Sequence, residues 1–226
     1  MKTMLSKFAT FFLLSAVIIF SSCDKDEDTS NANVMVVHAT PDASGLDILV
    51  DNKMENTTAL TYRNYTGYFD VKSGTRNIKI NATGTSTTLV NADVDFVKND
   101  YYSIFTVDSF DHISALVVED DLSTPRDGKA HVRFLHLAPG APAVDVAVAS
   151  SGDVVFGNVA YKEGTGFMSV NAGTYNLDIR LAGTAIISLV LPSITFAEGK
   201  SYTLYARGFL LGTGTHALGT EVIVNQ

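Results

Sequence analysis

An internal repeat of about 100 residues constrains this chain more than any other feature of its sequence. Five positions of the first copy recur 98 residues later, eight recur at an offset of 99, and two recur at an offset of 100. The clearest matches are His38 with His136, Tyr62 with Tyr161 and Tyr102 with Tyr202. An offset that drifts in one direction is what a duplication followed by insertions produces. The sequence therefore predicts two copies of one domain, with one extra residue in each of two loops of the second copy.

Alternating apolar and polar side chains indicate β-strands in both copies. In the second copy, Val132, Phe134 and His136 lie on one face of a strand, and Val144 and Val146 share a face of the next. Glycine-containing turns separate such runs at spacings of about ten residues. The sequence therefore predicts an all-β fold of two tandem antiparallel β-sandwich domains, immunoglobulin-like or transthyretin-like in style.

The composition is that of a globular protein, with 46% hydrophobic and 18% charged side chains and a single cysteine. A disordered acidic chain would have far fewer apolar residues, and a disulfide scaffold would have several cysteines. Shifts in composition divide the chain into five predicted segments. They are a signal peptide over 1–22, a lipidated acidic tether over 23–33, a first domain over 34–122, a linker over 123–129 and a second domain over 130–226.

The first 23 residues have the pattern of a bacterial lipoprotein leader. Two lysines precede an apolar run of 13 residues from Phe8 to Phe20, which is too short to span a bilayer. The run ends in Phe20-Ser21-Ser22-Cys23, which resembles a lipobox with Phe in the place of the usual Leu. The resemblance implies that Cys23 is acylated and anchors the chain in membrane lipid. The alternative is an ordinary free cysteine behind a secretory cleavage site.

The segment after Cys23 is strongly acidic, with the sequence Asp24-Lys25-Asp26-Glu27-Asp28. This composition is typical of a solvated tether. It also resembles the export signal of Bacteroidetes lipoproteins, which implies the outer membrane and the cell exterior as the location. Without the leader the chain has 14 basic and 24 acidic side chains, a net charge of −10. Such a chain is a poor nucleic-acid binder, so we expect no nucleic-acid partner.

Each copy opens with a strand that ends in His, followed by a turn that contains Ala and Pro and then by an apolar-Asp-apolar triplet. In the second copy these features run from Val132 to Val146, and in the first they begin at Val34, with Met35 where Arg133 stands. Both segments resemble the opening of a bacterial family catalogued as domain of unknown function 4397. The resemblance covers nearly the whole mature chain and implies a secreted or surface β-domain. It supplies no activity.

Two pairs of residues, His38 with Asp47 and His136 with Asp145, are candidates for a base and its orienting carboxylate in a hydrolase. No nucleophile accompanies them, because no Ser occupies a comparable place in both copies and the sequence has no Gly-x-Ser-x-Gly motif. The alternative is structural: each His faces inward at the end of its strand, donates to a carbonyl of the Pro turn and could pair with the Asp. We favour the structural interpretation, so no catalytic residue is predicted.

A metal or cofactor site is also not predicted. The five histidines form no known ligand motif, and the acidic clusters lack EF-hand spacing. Tyr65 is the candidate contact residue, since its counterpart in the second copy is Gly164 and a copy-specific aromatic is more plausibly exposed. The expected partner is an unknown extracellular ligand, a glycan or a protein.

These observations predict a membrane-anchored, surface-exposed lipoprotein that acts as a non-enzymatic binding or adhesion module. Two alternatives stay open. One is an envelope hydrolase that acts on glycan or peptide through the His and Asp pairs. The other is a structural scaffold that faces the periplasm.

Overall fold

The structure, a computed structural model, describes residues 30–226. The predicted signal peptide, Cys23 and the acidic part of the tether lie outside the described residues. The first domain has eight strands: β1 Asn31–His38, β2 Leu46–Val50, β3 Lys53–Met54, β4 Phe69–Lys72, β5 Gly74–Ala82, β6 Thr88–Phe96, β7 Tyr101–Val107 and β8 Ser114–Glu119. A 3-10 helix, Phe110–His112, connects β7 to β8.

The second domain repeats this order of elements. Its strands are β9 Lys129–His136, β10 Val144–Val148, β11 Val154–Val159, β12 Met168–Asn171, β13 Gly173–Leu181, β14 Ile187–Phe196, β15 Ser201–Arg207 and β16 Gly219–Val224. The 3-10 helix Gly214–His216 connects β15 to β16. Across 30–226 no helix is long and apolar enough to cross a membrane. The prediction of two tandem β-sandwich domains is confirmed.

Each domain is a sandwich of two four-stranded sheets. In the first domain the strand orders are β4-β1-β7-β8 and β3-β2-β5-β6, and in the second they are β12-β9-β15-β16 and β11-β10-β13-β14. One pair in each domain departs from the antiparallel pattern, because β1 pairs in parallel with β7 and β9 with β15. These partners are far apart in sequence, so no short hairpin imposes the antiparallel direction.

The first strand begins at Asn31, so the last three residues of the predicted tether belong to β1. The sandwiches form because β1 and β5 each turn every second side chain, an apolar one, towards the core. The equivalent strands of the second copy, β9 and β13, have the same alternation. The first core includes Val34, Val36, Ile48, Ile78, Ile80 and Ile104. The second includes Val132, Phe134, Val146, Leu177, Ile179 and Leu204. Each such buried side chain contributes roughly 1.5–3 kcal/mol of hydrophobic stabilisation.

The second extra residue of the repeat lies in a strand, so its predicted placement in a loop is wrong. In β14, Ile194 pairs with Tyr175 and Leu191 pairs with Leu177, which leaves Pro192 and Ser193 opposite a single residue. The corresponding part of β6 pairs with β5 without a shift. A β-bulge absorbs one added residue in an edge strand without disturbing the rest of the sheet, and Pro is compatible with such a position.

A third apolar cluster joins the two domains. The outward faces of the parallel pairs β1/β7 and β9/β15 meet there, and the members include Met35, Val37, Phe105, Leu135, Leu137, Tyr205 and Ile223. The rings of Phe105 and Tyr205, which are 100 residues apart and equivalent in the repeat, contact each other edge to face at a centroid distance of 5.8 Å. β1 is buried on both faces for this reason, which accounts for the unbroken apolar run that begins at Val34.

Candidate functional site

The two histidines of the repeat motif are completely buried at the ends of β1 and β9. Nε2 of His38 lies 2.9 Å from the carbonyl oxygen of Ser44, and Nε2 of His136 lies 2.9 Å from that of Pro142. A carbonyl can only accept, so each Nε2 carries the proton and donates. Burial lowers the pKa of both imidazoles below the ordinary 6.5, and the bond to the carbonyl offsets part of that shift. Both rings are therefore neutral at pH 7 and hold the turn that follows the strand.

The two aspartates of the motif form no hydrogen bond with the histidines and bond to other groups instead. Asp47 accepts from the hydroxyl of Thr83 and from the backbone N–H of Gly84, both at 3.0 Å. Asp145 accepts from the N–H groups of Asn158 and Gly183, at 2.6 and 2.8 Å. Each carboxylate thus fastens the hairpin turn of the neighbouring strand pair. The structure does not bring His and Asp together as a base and its orienter.

An open groove surrounds Tyr65 in the first domain. It has a volume of about 420 Å³, within the range of about 300–1,000 Å³ that is usual for ligand sites. Tyr65 is 42% exposed. The other lining residues are Glu55, Asn56, Thr57, Thr58, Ala59, Leu60, Thr61, Asn64, Thr66 and Phe69. The groove therefore combines two aromatic rings with a dense set of hydroxyl and amide groups.

The groove exists because the edge of the β3-β2-β5-β6 sheet is interrupted after Met54. The side chain of Asn56 replaces a backbone partner there: its Oδ1 accepts from the N–H of Ile48 at 2.7 Å, and its Nδ2 donates to the carbonyl of Leu46 at 3.0 Å. The chain returns to the sheet at Leu60, whose N–H bonds to the carbonyl of Leu46 at 2.9 Å. The residues between Asn56 and Leu60 bulge outward and form one wall.

The second domain lacks this wall, because β11 continues along β10 from Val154 to Val159. It also lacks the aromatic ring. Gly164 faces Leu135, and a Cβ on Gly164 would lie 3.0 Å from Cγ of Leu135. In the first domain the residue opposite Tyr65 is Val37, which is one methylene shorter than Leu135. The groove is therefore specific to the first copy.

The electrostatics of the groove favour an uncharged ligand. Glu55 is its only ionisable carboxylate, and the ammonium group of Lys53 lies 3.0 Å from that carboxylate. The groove also has exposed hydroxyl and amide groups, which both donate and accept hydrogen bonds. They belong to Thr57, Thr58, Thr61 and Asn64. Among residues 30–226 no three His, Cys, Asp or Glu side chains are grouped so that they could hold a metal ion.

The sequence identified Tyr65 but missed the threonines and amides around it. The signal was present in the repeat, because the segment from Lys53 to Thr61 has no matched positions in the second copy. The pairing of Leu60 with Leu46 that folds this segment outward is long-range. Alternation of apolar residues does not reveal such a pairing.

Comparison with known proteins gives a family and no activity. The family model described as domain of unknown function (DUF4397) matches residues 32–147 and 146–226. No curated protein sequence matches the chain. Among solved structures, the C-terminal domain of AlgF from P. aeruginosa is 22% identical, with a TM-score of 0.34, over 43% of this chain and 99% of that one. The family 26 carbohydrate-binding module of Eubacterium rectale Amy13K, solved with maltoheptaose, is 11% identical, with a TM-score of 0.26, over 84% of this chain and 96% of that one.

Proposed function

Because the chain belongs to the DUF4397 family, whose members have no assigned activity, its function has to be inferred from its own residues, and we propose that it is a surface-exposed lipoprotein acting as a non-enzymatic binding module. Acylated Cys23 holds it in the outer membrane. The groove around Tyr65 binds a neutral, polyhydroxylated ligand, a glycan.

The anchor is supported by the leader sequence and by the position of the first strand. Seven residues separate Cys23 from Asn31, where β1 begins. A fully extended segment of this length reaches about 25 Å. A tether of this length therefore keeps the start of the first domain near the membrane.

The observation that carries the binding function is the copy-specific groove at Tyr65. In the rest of the repeat, the shared residues pack cores and turns, so they serve the fold. Here the first copy has an aromatic ring, an interrupted sheet edge and a row of threonines where the second copy has none of them. An exposed ring offers apolar contact area at little cost in conformational entropy, and the hydroxyl and amide groups around it supply direction.

The non-enzymatic assignment is supported by the geometry of the His and Asp motif. Each Nε2–H is used by a carbonyl, and each carboxylate is used by backbone or hydroxyl donors in a turn. A general base needs a free lone pair within hydrogen-bond reach of its substrate. Both histidines are 0% exposed, and the Nδ1 lone pair of His136 accepts from the backbone N–H of Ala138 at 3.4 Å.

The test is a screen of neutral oligosaccharides with the purified chain, followed by titration of the strongest binder. We expect Tyr65→Ala to weaken binding tenfold or more, since tenfold corresponds to about 1.4 kcal/mol and a buried aromatic contact is worth at least that. The matched control is Phe110→Ala, which removes a ring of similar exposure, 40%, outside the groove. Equal affinity of the Tyr65 variant and the parent, or absence of any oligosaccharide binding, would overturn the assignment.

A further inference from the structure

The turn that precedes Tyr65 is bonded to the second domain. Thr61 and Asn64, which line the groove, begin and end this turn, and the N–H of Asn64 bonds to the carbonyl of Thr61 at 3.0 Å. Arg63 lies between them, outside the groove lining, and its Nε donates to the carboxylate of Glu221 in β16. The groove is therefore lined by the first domain, while the turn at its rim is also held by the second.

Arg63 has a backbone conformation that its residue type disfavours. Its φ angle is 74°, and the equivalent Lys162 of the second copy has a φ angle of 66°. Gly is the usual residue at such a turn position, because a Cβ is crowded at positive φ. Both copies nevertheless have a long cation there, and each cation pairs with a carboxylate of the other domain: Arg63 with Glu221, and Lys162 with Asp108. The strained position therefore serves an ion pair across the interface, which Gly could not form.

Glu221 is itself fixed within the second domain. Its Oε1 accepts from Nε and Nη2 of Arg207 at 3.1 and 2.9 Å, and Nη1 of Arg207 donates to the carbonyl of Ala217 at 2.8 Å. The guanidinium of Arg207 also lies 6.0 Å from the centre of the Tyr62 ring, so it contacts the turn directly. The second domain thus offers the turn a carboxylate whose position is already set by other bonds.

The position of the turn determines the position of Tyr65 through a short stretch of backbone. The N–H of Arg63 bonds to the carbonyl of His38 at 2.8 Å, and the N–H of His38 bonds to the carbonyl of Asn64 at 2.9 Å. Tyr65 follows Asn64 directly and forms a single β-bridge with Val37. The segment that carries the groove's exposed ring is therefore attached to β1 by its backbone and to the second domain by the side chain of Arg63.

We propose that Glu221 is a positioning residue for the groove: through Arg63 it holds the turn so that Tyr65 and its neighbours are set before the ligand binds. The proposal rests on the binding function assigned to the groove above. Glu221 does not line the groove, so it raises the affinity by preorganisation. A site that is ordered in advance loses less conformational entropy on binding. The glycan site of the first copy is therefore completed by the second copy.

The first measurement needs no ligand. The chain has no Trp, so Tyr65→Trp places a single indole in the groove, and the decay of its fluorescence anisotropy reports the local motion of that side chain. In this background Glu221→Gln removes the charge and keeps the size of the side chain. We expect the amplitude of the fast depolarisation to rise about twofold or more.

The matched control is Asp108→Asn in the same background. It breaks the equivalent ion pair across the domains, on the side that has no groove, and the exposed fraction of Asp108 is close to that of Glu221, 17% against 22%. We expect it to leave the anisotropy decay of the indole unchanged. Circular dichroism checks that both variants are folded, and partly exposed ion pairs contribute little to stability.

The second measurement is titration of the oligosaccharide that the parent binds most strongly, with chains that retain Tyr65. We expect the dissociation constant to rise about threefold or more in Glu221→Gln and in Arg63→Gln, because the turn is then ordered only on binding. Arg63→Lys copies Lys162 of the second copy and keeps the cation. It should therefore bind within about twofold of the parent.

Equal anisotropy decays with and without the Glu221 substitution would overturn the proposal, as would an equal effect of Asp108→Asn. A more mobile indole with unchanged affinity would also overturn it, and so would loss of affinity in Arg63→Lys equal to that in Arg63→Gln. If no oligosaccharide binds the parent, the proposed binding function fails. The anisotropy measurement then decides alone whether Glu221 positions the turn, so the two failures are distinguishable.

Discussion

Arg133 of the second domain donates to the carboxylate of Asp120 at the end of the first, and their side chains are only 3% and 0% exposed. The same guanidinium donates to the hydroxyl of Thr203 at 2.8 Å and stacks over the ring of Phe167 at 4.5 Å. An ion pair this deeply buried is costly unless every donor and acceptor is used. Here the pair fixes one domain against the other.

A closed ring of hydrogen bonds completes this interface. The carboxylate of Asp120 also accepts from the hydroxyl of Tyr68 at 2.5 Å. That hydroxyl accepts from the amide of Asn225 at 3.0 Å, and Asn225 accepts from Thr203 at 2.7 Å. Burial, together with the negative charge of Asp120, raises the pKa of Tyr68 well above its ordinary value, so the phenol stays a donor. The ring links residues from both copies and makes the two sandwiches one unit.

Removal of Arg133 alone is therefore expected to lower the stability of the protein strongly. Arg133→Met introduces the side chain that Met35 has at the equivalent position of the first copy, and it leaves Asp120 buried without its cation. We expect a loss of about 3–5 kcal/mol in the free energy of unfolding, measured by chemical denaturation.

Asn225 is the counterpart of Asp120 in the second copy, because their N–H groups bond to the equivalent carbonyls of Ser201 and Tyr101. The matched rescue is the double variant Arg133→Met with Asp120→Asn, which gives both positions the residues of their counterparts, Met35 and Asn225. The neutral amide needs no cation, so most of the lost stability returns. A single variant that costs less than about 1 kcal/mol, or a double variant no more stable than the single one, would contradict this description of the interface.

Stability is expected to depend on pH through His38 and His136. Their folded pKa values are lowered below 6.5 by burial, so the unfolded chain takes up protons that the folded chain resists. The free energy of unfolding should be highest above pH 6.5 and should fall as the pH drops below that value. His136→Gln is expected to cost about 1–3 kcal/mol at neutral pH through the lost bond to Pro142, and to reduce the slope below it. Denaturation curves at several pH values measure both effects.

The control is His216→Gln, which changes an exposed histidine of the same domain. It should leave the stability at neutral pH unchanged. Parallel pH profiles of the parent and the His136 variant would show that the buried imidazole is not the group responsible.

The absence of an aromatic ring at Gly164, the counterpart of Tyr65 in the second domain, has a steric explanation that can be tested. Gly164→Tyr is expected to cost about 1–3 kcal/mol, because the new Cβ meets Leu135. Leu135→Val in addition copies Val37 of the first domain and should recover part of that loss. If the single variant is as stable as the parent, the copy-specific groove has another cause.

Much of the fold could be predicted from the sequence, because it depends on local alternation and on the repeat. The alternation of Val132, Phe134 and His136 predicts a strand, and the structure has these residues in β9, Lys129–His136. The interface between the copies could not be predicted in this way. Arg133 lies in an apolar run and is typical of an exposed position, and only the three-dimensional approach of Asp120 explains its burial.

In the candidate site, too, one part could be predicted from the sequence and another part could not. Tyr65 could be found because its counterpart Gly164 breaks the repeat. The threonine wall could not be found, because it depends on Asn56 replacing a backbone partner of Ile48. A side chain that takes the place of a backbone hydrogen-bond partner leaves no periodic pattern in the sequence.

The most direct test of the central claim, a binding module displayed at the cell surface, is protease treatment of intact cells followed by blotting for the two domains. A parallel strain has Asp26, Glu27 and Asp28 changed to Ala, and a periplasmic protein serves as the control for cell integrity. We expect the domains to be digested in the parent and protected in the variant. Protection in both strains, with digestion only after the cells are opened, would contradict surface display.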